Sequence, residues 1–181
     1  MKKYVIFLFS LALLSACNKE NTASFEGPYY PLNAAIDSVW QQLDSTNIFI
    51  EKTIRLNENT ETQQVQLSSL KEDLELLRQM DINKPAWATS YAVSKMTKHS
   101  GVEYTYSSKD DKLPVKELRI TLNRQQQLDN VYALRKTKNM LYALEQEIYW
   151  DCDSFIEVHS AQRVTLLEDK NHHIFSRLVR K

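Results

Sequence analysis

Glycine and cysteine are scarce in this chain of 181 residues, which contains only two of each. Because Gly27 and Gly101 lie far apart, the sequence lacks the glycine-rich loops that hold phosphate groups through backbone amides. The H-E-x-x-H and G-x-S-x-G motifs of zinc proteases and serine hydrolases are also missing. The lack of glycine-rich loops excludes nucleotide binding of the kind that depends on them. An enzyme is the less favoured interpretation, and we predict no catalytic or cofactor-binding residue.

An excess of positive charge is missing as well. The chain has 23 basic and 23 acidic side chains, and its hydrophobic fraction of 43% is that of an ordinary globular protein. A nucleic-acid-binding protein would concentrate basic residues on one surface, and the sequence has no such concentration. The composition therefore predicts a folded domain that does not bind nucleic acid.

The N-terminus has the organisation of a bacterial export signal. Lys2 and Lys3 precede an almost uninterrupted apolar stretch from Tyr4 to Leu14, and Leu14-Ser15-Ala16-Cys17 follows directly. The apolar stretch is shorter than the roughly 20 residues that a membrane-spanning helix needs. These residues resemble the signal peptide and lipobox of bacterial lipoproteins.

The resemblance implies a lipid anchor on Cys17. Residues 1–16 are then a signal peptide that is removed before Cys17, whose thiol receives diacylglycerol and whose new amine is acylated, with palmitate as a typical chain. Two or three acyl chains hold a protein stably at a membrane. We predict that residues 17–28 are the lipidated cysteine and a flexible tether, and that residues 29–181 form a single domain.

The chain as a whole resembles the small cell-envelope lipoproteins that are abundant in Bacteroidota. This resemblance is specific at Leu14 to Cys17 and implies a location rather than an activity. Asn18 differs from the aspartate that retains lipoproteins in the inner membrane of enteric bacteria. The resemblance therefore implies the outer membrane, with the periplasmic and the surface leaflet both open.

Lipidation of Cys17 leaves Cys152 as the only thiol, so no intramolecular disulfide can form. The neighbouring carboxylates of Asp151 and Asp153 disfavour the thiolate. We interpret Cys152 as an unreactive cysteine in a turn.

Apolar periodicity predicts two helices and a strand in the first half of the chain. Residues at helical spacing run from Leu32 to Leu43, and a second helix begins at Ser68 or Ser69 and ends before Pro85. Between them, Ile48–Leu56 alternates as a strand does, with Lys52 as the one exception, and residues 61–67 are a candidate edge strand.

A period of two dominates the second half of the chain. It predicts seven strands joined by short turns: Trp87–Met96, Val102–Ser107, Val115–Leu122, Leu128–Lys136, Met140–Trp150, Phe155–Leu166 and His172–Arg180. Short turns make consecutive strands antiparallel neighbours. We therefore predict an α+β fold, in which two N-terminal helices pack on a curved antiparallel meander sheet of about seven or eight strands.

Four histidines raise the question of a metal site: His99, His159, His172 and His173. Pairing about a turn at Asp169-Lys170 would place the last two beside the turn and His159 opposite Val179 or Arg180. That separation is too large for one ion, so we predict no metal site. Pairing about the preceding turn would place His159 near Glu145, which we interpret as an ordinary polar contact.

Aromatic residues are concentrated in the predicted meander, where core packing is their usual role. The alternative is an apolar groove of the kind found in half-barrel proteins that shuttle lipids across the periplasm. Its candidate ligand face comprises Tyr104, Tyr106, Tyr132 and Tyr142.

Three functions follow in order of preference. The first is a binding or interaction module that recognises an envelope protein or other envelope component through a sheet edge or face. The second is a carrier that holds a lipid or other apolar ligand in the groove. The third is a hydrolase whose carboxylates come from distant strands.

Overall fold

A computed structural model describes residues 27–165 and 167–180. The predicted signal peptide, Cys17 and the tether as far as residue 26 lie outside these described residues. These described residues form two α-helices and nine β-strands, and we number each type in chain order. The elements are α1 (Leu32–Asp44), β1 (Ile48–Leu56), β2 (Asn59–Gln66), α2 (Leu70–Arg78), β3 (Tyr91–Lys98), β4 (Gly101–Ser108), β5 (Val115–Asn123), β6 (Leu128–Lys138), β7 (Tyr142–Asp151), β8 (Phe155–Val164) and β9 (Lys170–Arg180).

All nine strands form one antiparallel sheet with the order β2-β1-β9-β8-β7-β6-β5-β4-β3. Strands β3 to β9 follow one another as a meander, because each connection is short. The last strand then pairs along the whole of β1, from Ile48 opposite Arg180 to Leu56 opposite His172. The first hairpin is thereby joined to the end of the meander.

The predicted α+β fold class, with two N-terminal helices packed on a meander of about seven or eight strands, is wrong. The described residues form a largely β fold, with nine strands in one sheet and only 18% of these residues in helices. The two short helices, which the hairpin β1–β2 separates in the chain, are minor elements of a fold that one large sheet dominates. Local periodicity detected the elements but did not encode the long-range pairing of β1 with β9.

The hydrophobic core lies on one face of the sheet, which we call the inner face; the opposite one is the outer face. Alternate side chains of the strands point into this core, and so do the buried residues of both helices. Leu32, Ile36 and Leu43 of α1 are buried at helical spacing, as are Leu70, Leu74 and Leu77 of α2. The largest fully buried side chain is Trp150 of β7.

Lys52, which interrupts the apolar alternation of β1, lies on the inner face and is 5% exposed. Its Nζ donates a hydrogen bond to Oδ1 of Asp73 in α2 at 2.9 Å. The Ser176 hydroxyl of β9 donates to the other carboxylate oxygen at 2.6 Å. Asp73 is thus bonded to two adjacent strands, which fixes the position of α2. We call Lys52, Asp73 and Ser176 the buried triad.

Candidate functional site

Four adjacent strands, β7, β8, β9 and β1, present three rows of side chains on the outer face. We call these rows the outer-face patch. In register from β7 to β1, the rows are Glu147, His159, His173 and Arg55; Tyr149, Glu157, Phe175 and Thr53; and Asp151, Phe155, Arg177 and Glu51.

Alternation within β8 explains why these side chains face outwards. Ile156 and Val158 are buried on the inner face, so Phe155, Glu157 and His159 point to the opposite side. No strand of the patch is an edge strand, because β1 is covered by β2 and β7 by β6. The backbone that carries the patch is therefore hydrogen-bonded on both sides.

Two histidines and a glutamate meet in the middle of the patch. Oε1 of Glu157 lies 3.0 Å from Nε2 of His159 and 2.8 Å from Nε2 of His173. The two imidazole rings stack with centroids 4.2 Å apart and planes 8° from parallel. We call Glu157, His159 and His173 the His-Glu cluster.

The cluster can act in two chemical ways. With protons on both Nε2 atoms, each imidazole donates a hydrogen bond to the same carboxylate oxygen. With the Nε2 atoms deprotonated, three lone-pair donors converge, and their ligand atoms lie within 4.8 Å of one another. Among the residues that the structure describes, no other group of three or more His, Cys, Asp or Glu side chains converges in this way.

A surface depression of about 340 Å³ adjoins the cluster. His159 and His173 form part of its wall, together with Arg55 and two glutamates, Glu145 and Glu147. Side chains of both charge signs therefore surround the space beside the two imidazole rings.

Three aromatic rings lie beside the cluster. The ring centroid of Phe155 is 5.6 Å from that of Tyr149 and 5.2 Å from that of Phe175, and the rings are tilted by 42° and 37°. The Tyr149 hydroxyl donates to Oδ1 of Asn130 at 2.8 Å, and its partial burial raises its pKa. Arg177 pairs with Glu51 at 2.8 Å next to the rings. The patch thus combines apolar and ionic contact area.

The histidine registers predicted from the turns are wrong. His159 lies opposite His173 rather than opposite Val179 or Arg180, because the β8–β9 pairing closes at Gln162 and Lys170. The chain between these residues forms a longer connection than the predicted turn at Asp169-Lys170 allows. The prediction of no metal site rested on a large separation between His159 and His173, and these residues are in fact cross-strand neighbours.

The other two histidines are not members of the cluster, although His172 also lines the depression beside it. His172 occupies the inner-face side of β9 opposite Ser160, and His99 lies in the β3–β4 turn beside Arg124. The predicted neighbour of His159 also changes, because Glu147 lies opposite it and Glu145 lies opposite Ala161. The cluster could not be predicted from the sequence, because the length of the loop between β8 and β9 sets their register and no residue pattern gave that length.

The four tyrosines of the predicted ligand face do not share one surface. Tyr104 and Tyr106 stack on the inner face with centroids 6.5 Å apart, and burial raises the pKa of Tyr106. Tyr132 lies on the outer face, where the Arg119 guanidinium sits 4.1 Å from its ring centroid. Tyr142 lies at the start of β7 opposite Val164. Ligand binding by these residues stays a prediction.

The unreactive character predicted for Cys152 has a physical basis in the fold. The side chain is buried, and burial raises the pKa of its thiol, to which the carboxylates of Asp151, Asp129 and Asp153 add. The thiol form therefore dominates at neutral pH.

Comparison with known proteins gives information on the N-terminus. A family model described as the prokaryotic membrane lipoprotein lipid attachment site matches residues 1–18. The chain is a membrane-anchored bacterial lipoprotein. This match confirms the lipoprotein signal that was predicted from the lipobox around Cys17. A search of curated proteins and a search of solved structures found no match to the lipoprotein.

In the part of the lipoprotein that the structure describes, no helix has the length and apolar character to cross a membrane.

Proposed function

We propose that this lipoprotein is a binding module held at the outer membrane, and that its outer-face patch binds another protein of the cell envelope. The observation that carries the proposal is the contact between Tyr149, Phe155 and Phe175 on a face that the core does not use. Tyr149 is 39% exposed, so the edge of this aromatic group is open to a partner.

The composition of the patch supports a protein partner. Aromatic residues and arginine are enriched where protein surfaces bind each other, and charged pairs commonly form the rim. The aromatic rings here are surrounded by the Arg177–Glu51 pair and the His-Glu cluster. A sugar ring stacks best on a flat aromatic surface, whereas these rings are tilted by 42° and 37°. The surface of a folded protein fits such an uneven aromatic surface better than a sugar ring does.

The two edges of the sheet are less suited to binding than the face. Edge strand β3 carries Lys95 and Lys98, and lysines on an edge strand discourage the addition of another strand. Edge strand β2 is almost entirely polar and exposed, so it offers little apolar area to bury. These features favour the face over an edge.

The lipid anchor supports a role at a membrane surface. A tether on Cys17 restricts the domain to the neighbourhood of envelope components, which raises the effective concentration of a partner in the same membrane. Asn18 in place of an aspartate supports the outer membrane. Separation of inner and outer membranes by density tests this location. Recovery of the lipoprotein with the inner membrane would overturn the location but not the binding proposal.

Site-specific photo-crosslinking in living cells tests the binding proposal. A photoreactive amino acid at Glu147, which is exposed in the patch, should give a discrete adduct with one envelope protein. The same probe at Glu61 on β2 should not give that adduct. In the Glu147 probe strain, Phe155→Ala or Phe175→Ala should lower the yield at least about tenfold, as expected for truncation of an aromatic anchor.

Met140→Ala provides the matched control, because Met140 is 93% exposed and lies between β6 and β7, outside the patch. Its adduct yield should equal that of the parent strain. Circular dichroism of the purified variants checks that the sheet is intact. Folded Phe155 and Phe175 variants that crosslink as well as the parent would overturn the proposal, and so would equal adducts from Glu147 and Glu61.

A further inference from the structure

We propose that the His-Glu cluster binds one divalent transition-metal ion of the Zn²⁺ type. The inference goes beyond the proposed protein binding and does not depend on it. It rests on the convergence of two imidazole nitrogens and one carboxylate oxygen on the outer face.

The ligand set fits this class of ion. Imidazole nitrogen suits Zn²⁺, Cu²⁺ and Ni²⁺, whereas Mg²⁺ and Ca²⁺ prefer sites made of oxygen atoms. Two histidines and one carboxylate are the protein ligands of a common type of open metal site, in which water or another molecule fills the remaining position. Glu157, His159 and His173 provide that set from two adjacent strands.

The distances are close to those that an ion needs. Ligand atoms around a tetrahedral Zn²⁺ lie about 3.3–3.6 Å from one another, given bond lengths of about 2.0–2.2 Å. Oε1 of Glu157 is 3.0 Å from one Nε2 atom and 2.8 Å from the other. Each separation therefore has to widen by only about half an ångström. The side chains of His159, Glu157 and His173 are 53%, 30% and 25% exposed, so their rotation can provide this change without movement of the backbone.

The surroundings favour a cation with an open coordination position. Glu147 lies opposite His159 in the same row and adds negative charge near the cluster. Arg55 lies opposite His173 on the other side, at the depression of about 340 Å³ that both imidazoles line. The depression leaves room for water on the ion, and Arg55 is placed to attract an anionic ligand to the same position.

Calorimetric titration of the mature, lipidated and untagged lipoprotein in detergent, first treated with a chelator, tests the proposal. ZnCl₂ should bind with a stoichiometry of one ion per chain, and MgCl₂ and CaCl₂ should not compete. His159→Gln and His173→Gln should each weaken Zn²⁺ binding by about 100-fold or more, given that loss of a group that only supports a ligand costs about 10–100-fold. His99→Gln, which removes an exposed histidine in the β3–β4 turn, should leave the affinity unchanged.

Two further measurements keep the result interpretable. Co²⁺ should give a visible absorption spectrum of nitrogen and oxygen ligation that His159→Gln and His173→Gln abolish. Zn²⁺ should raise the melting temperature of the parent protein but not that of the folded His159→Gln variant. The proposal is overturned if Zn²⁺ does not bind, or if it binds the His159→Gln and His173→Gln variants as tightly as the parent.

Discussion

Strand β9 carries two polar clusters on opposite faces, and they differ in how their charges are satisfied. Ser176 belongs to the buried triad on the inner face, where Lys52 and Asp73 are 5% and 1% exposed. His173, three residues earlier, belongs to the His-Glu cluster on the outer face, where the side chains of His159 and His173 are 53% and 25% exposed. The same strand therefore carries a polar cluster that is buried and another that is partly exposed to solvent.

The difference indicates separate roles. Both carboxylate oxygens of Asp73 accept hydrogen bonds inside the protein, and Asp73 is only 1% exposed, so an external ligand cannot reach this group. In the His-Glu cluster, two nitrogens share one oxygen of Glu157, and all three side chains are at least partly exposed to solvent. The buried triad should therefore determine stability, and the exposed cluster should determine binding.

The largest expected effect comes from breaking the buried triad at its charge. Asp73→Ala should lower the free energy of unfolding by about 3–5 kcal/mol, because it leaves the ammonium group of Lys52 buried without a counter-ion. Urea denaturation measures this loss. The double variant Lys52→Met with Asp73→Leu should recover most of it, because it replaces both charges by apolar groups of similar size.

Glu75→Ala is the matched control on the same helix. Glu75 is exposed and lies 3.8 Å from Arg78, so its loss should change the free energy of unfolding by less than about 1 kcal/mol. If Asp73→Ala were as mild as Glu75→Ala, the buried triad would not determine stability and the contrast between the two faces would fail.

Lys52 also shows where sequence analysis reaches its limit. The alternation around it predicted the strand, but one charged residue in an apolar series gave no indication that Asp73 would neutralise it or that Ser176 would bond to Asp73. Asp73 lies 21 residues after Lys52 in the chain, and Ser176 lies 103 residues after Asp73. The pairing of β9 with β1 places Ser176 opposite Lys52, and the packing of α2 on the inner face brings Asp73 to both.

Local sequence patterns do not specify long-range pairing, which also explains why the fold class and the His-Glu cluster were not predicted. Each strand predicted after residue 87 is present, because alternation is a local property that burial on one face imposes. The pairing of β9 with β1 and the His159–His173 register depend on long-range pairing and loop length, which period-two patterns do not specify. The lipid anchor was predictable because its signal is read from a continuous segment around Cys17.

A smaller effect is expected from removing only the hydroxyl of the buried triad. Ser176→Ala should cost about 1.5–3 kcal/mol, the usual contribution of a hydrogen bond to a charged group, because one oxygen of Asp73 loses its donor. Chemical denaturation should show a shifted midpoint with an unchanged slope. Ser94→Ala, at an exposed position on β3, should remain within about 0.5 kcal/mol of the parent.

The smallest expected effect comes from the exposed cluster in metal-free protein. Glu157→Gln and His159→Ala should each change the free energy of unfolding by less than about 1 kcal/mol, because hydrogen bonds and ion pairs that face water contribute little to stability. Urea denaturation in the presence of a chelator measures this difference. A loss of more than about 2 kcal/mol would exceed what an exposed pair contributes. It would mean that the His-Glu cluster stabilises the sheet as the buried triad does. The separation of roles between the two faces therefore requires that the Glu157→Gln variant be nearly as stable as the parent.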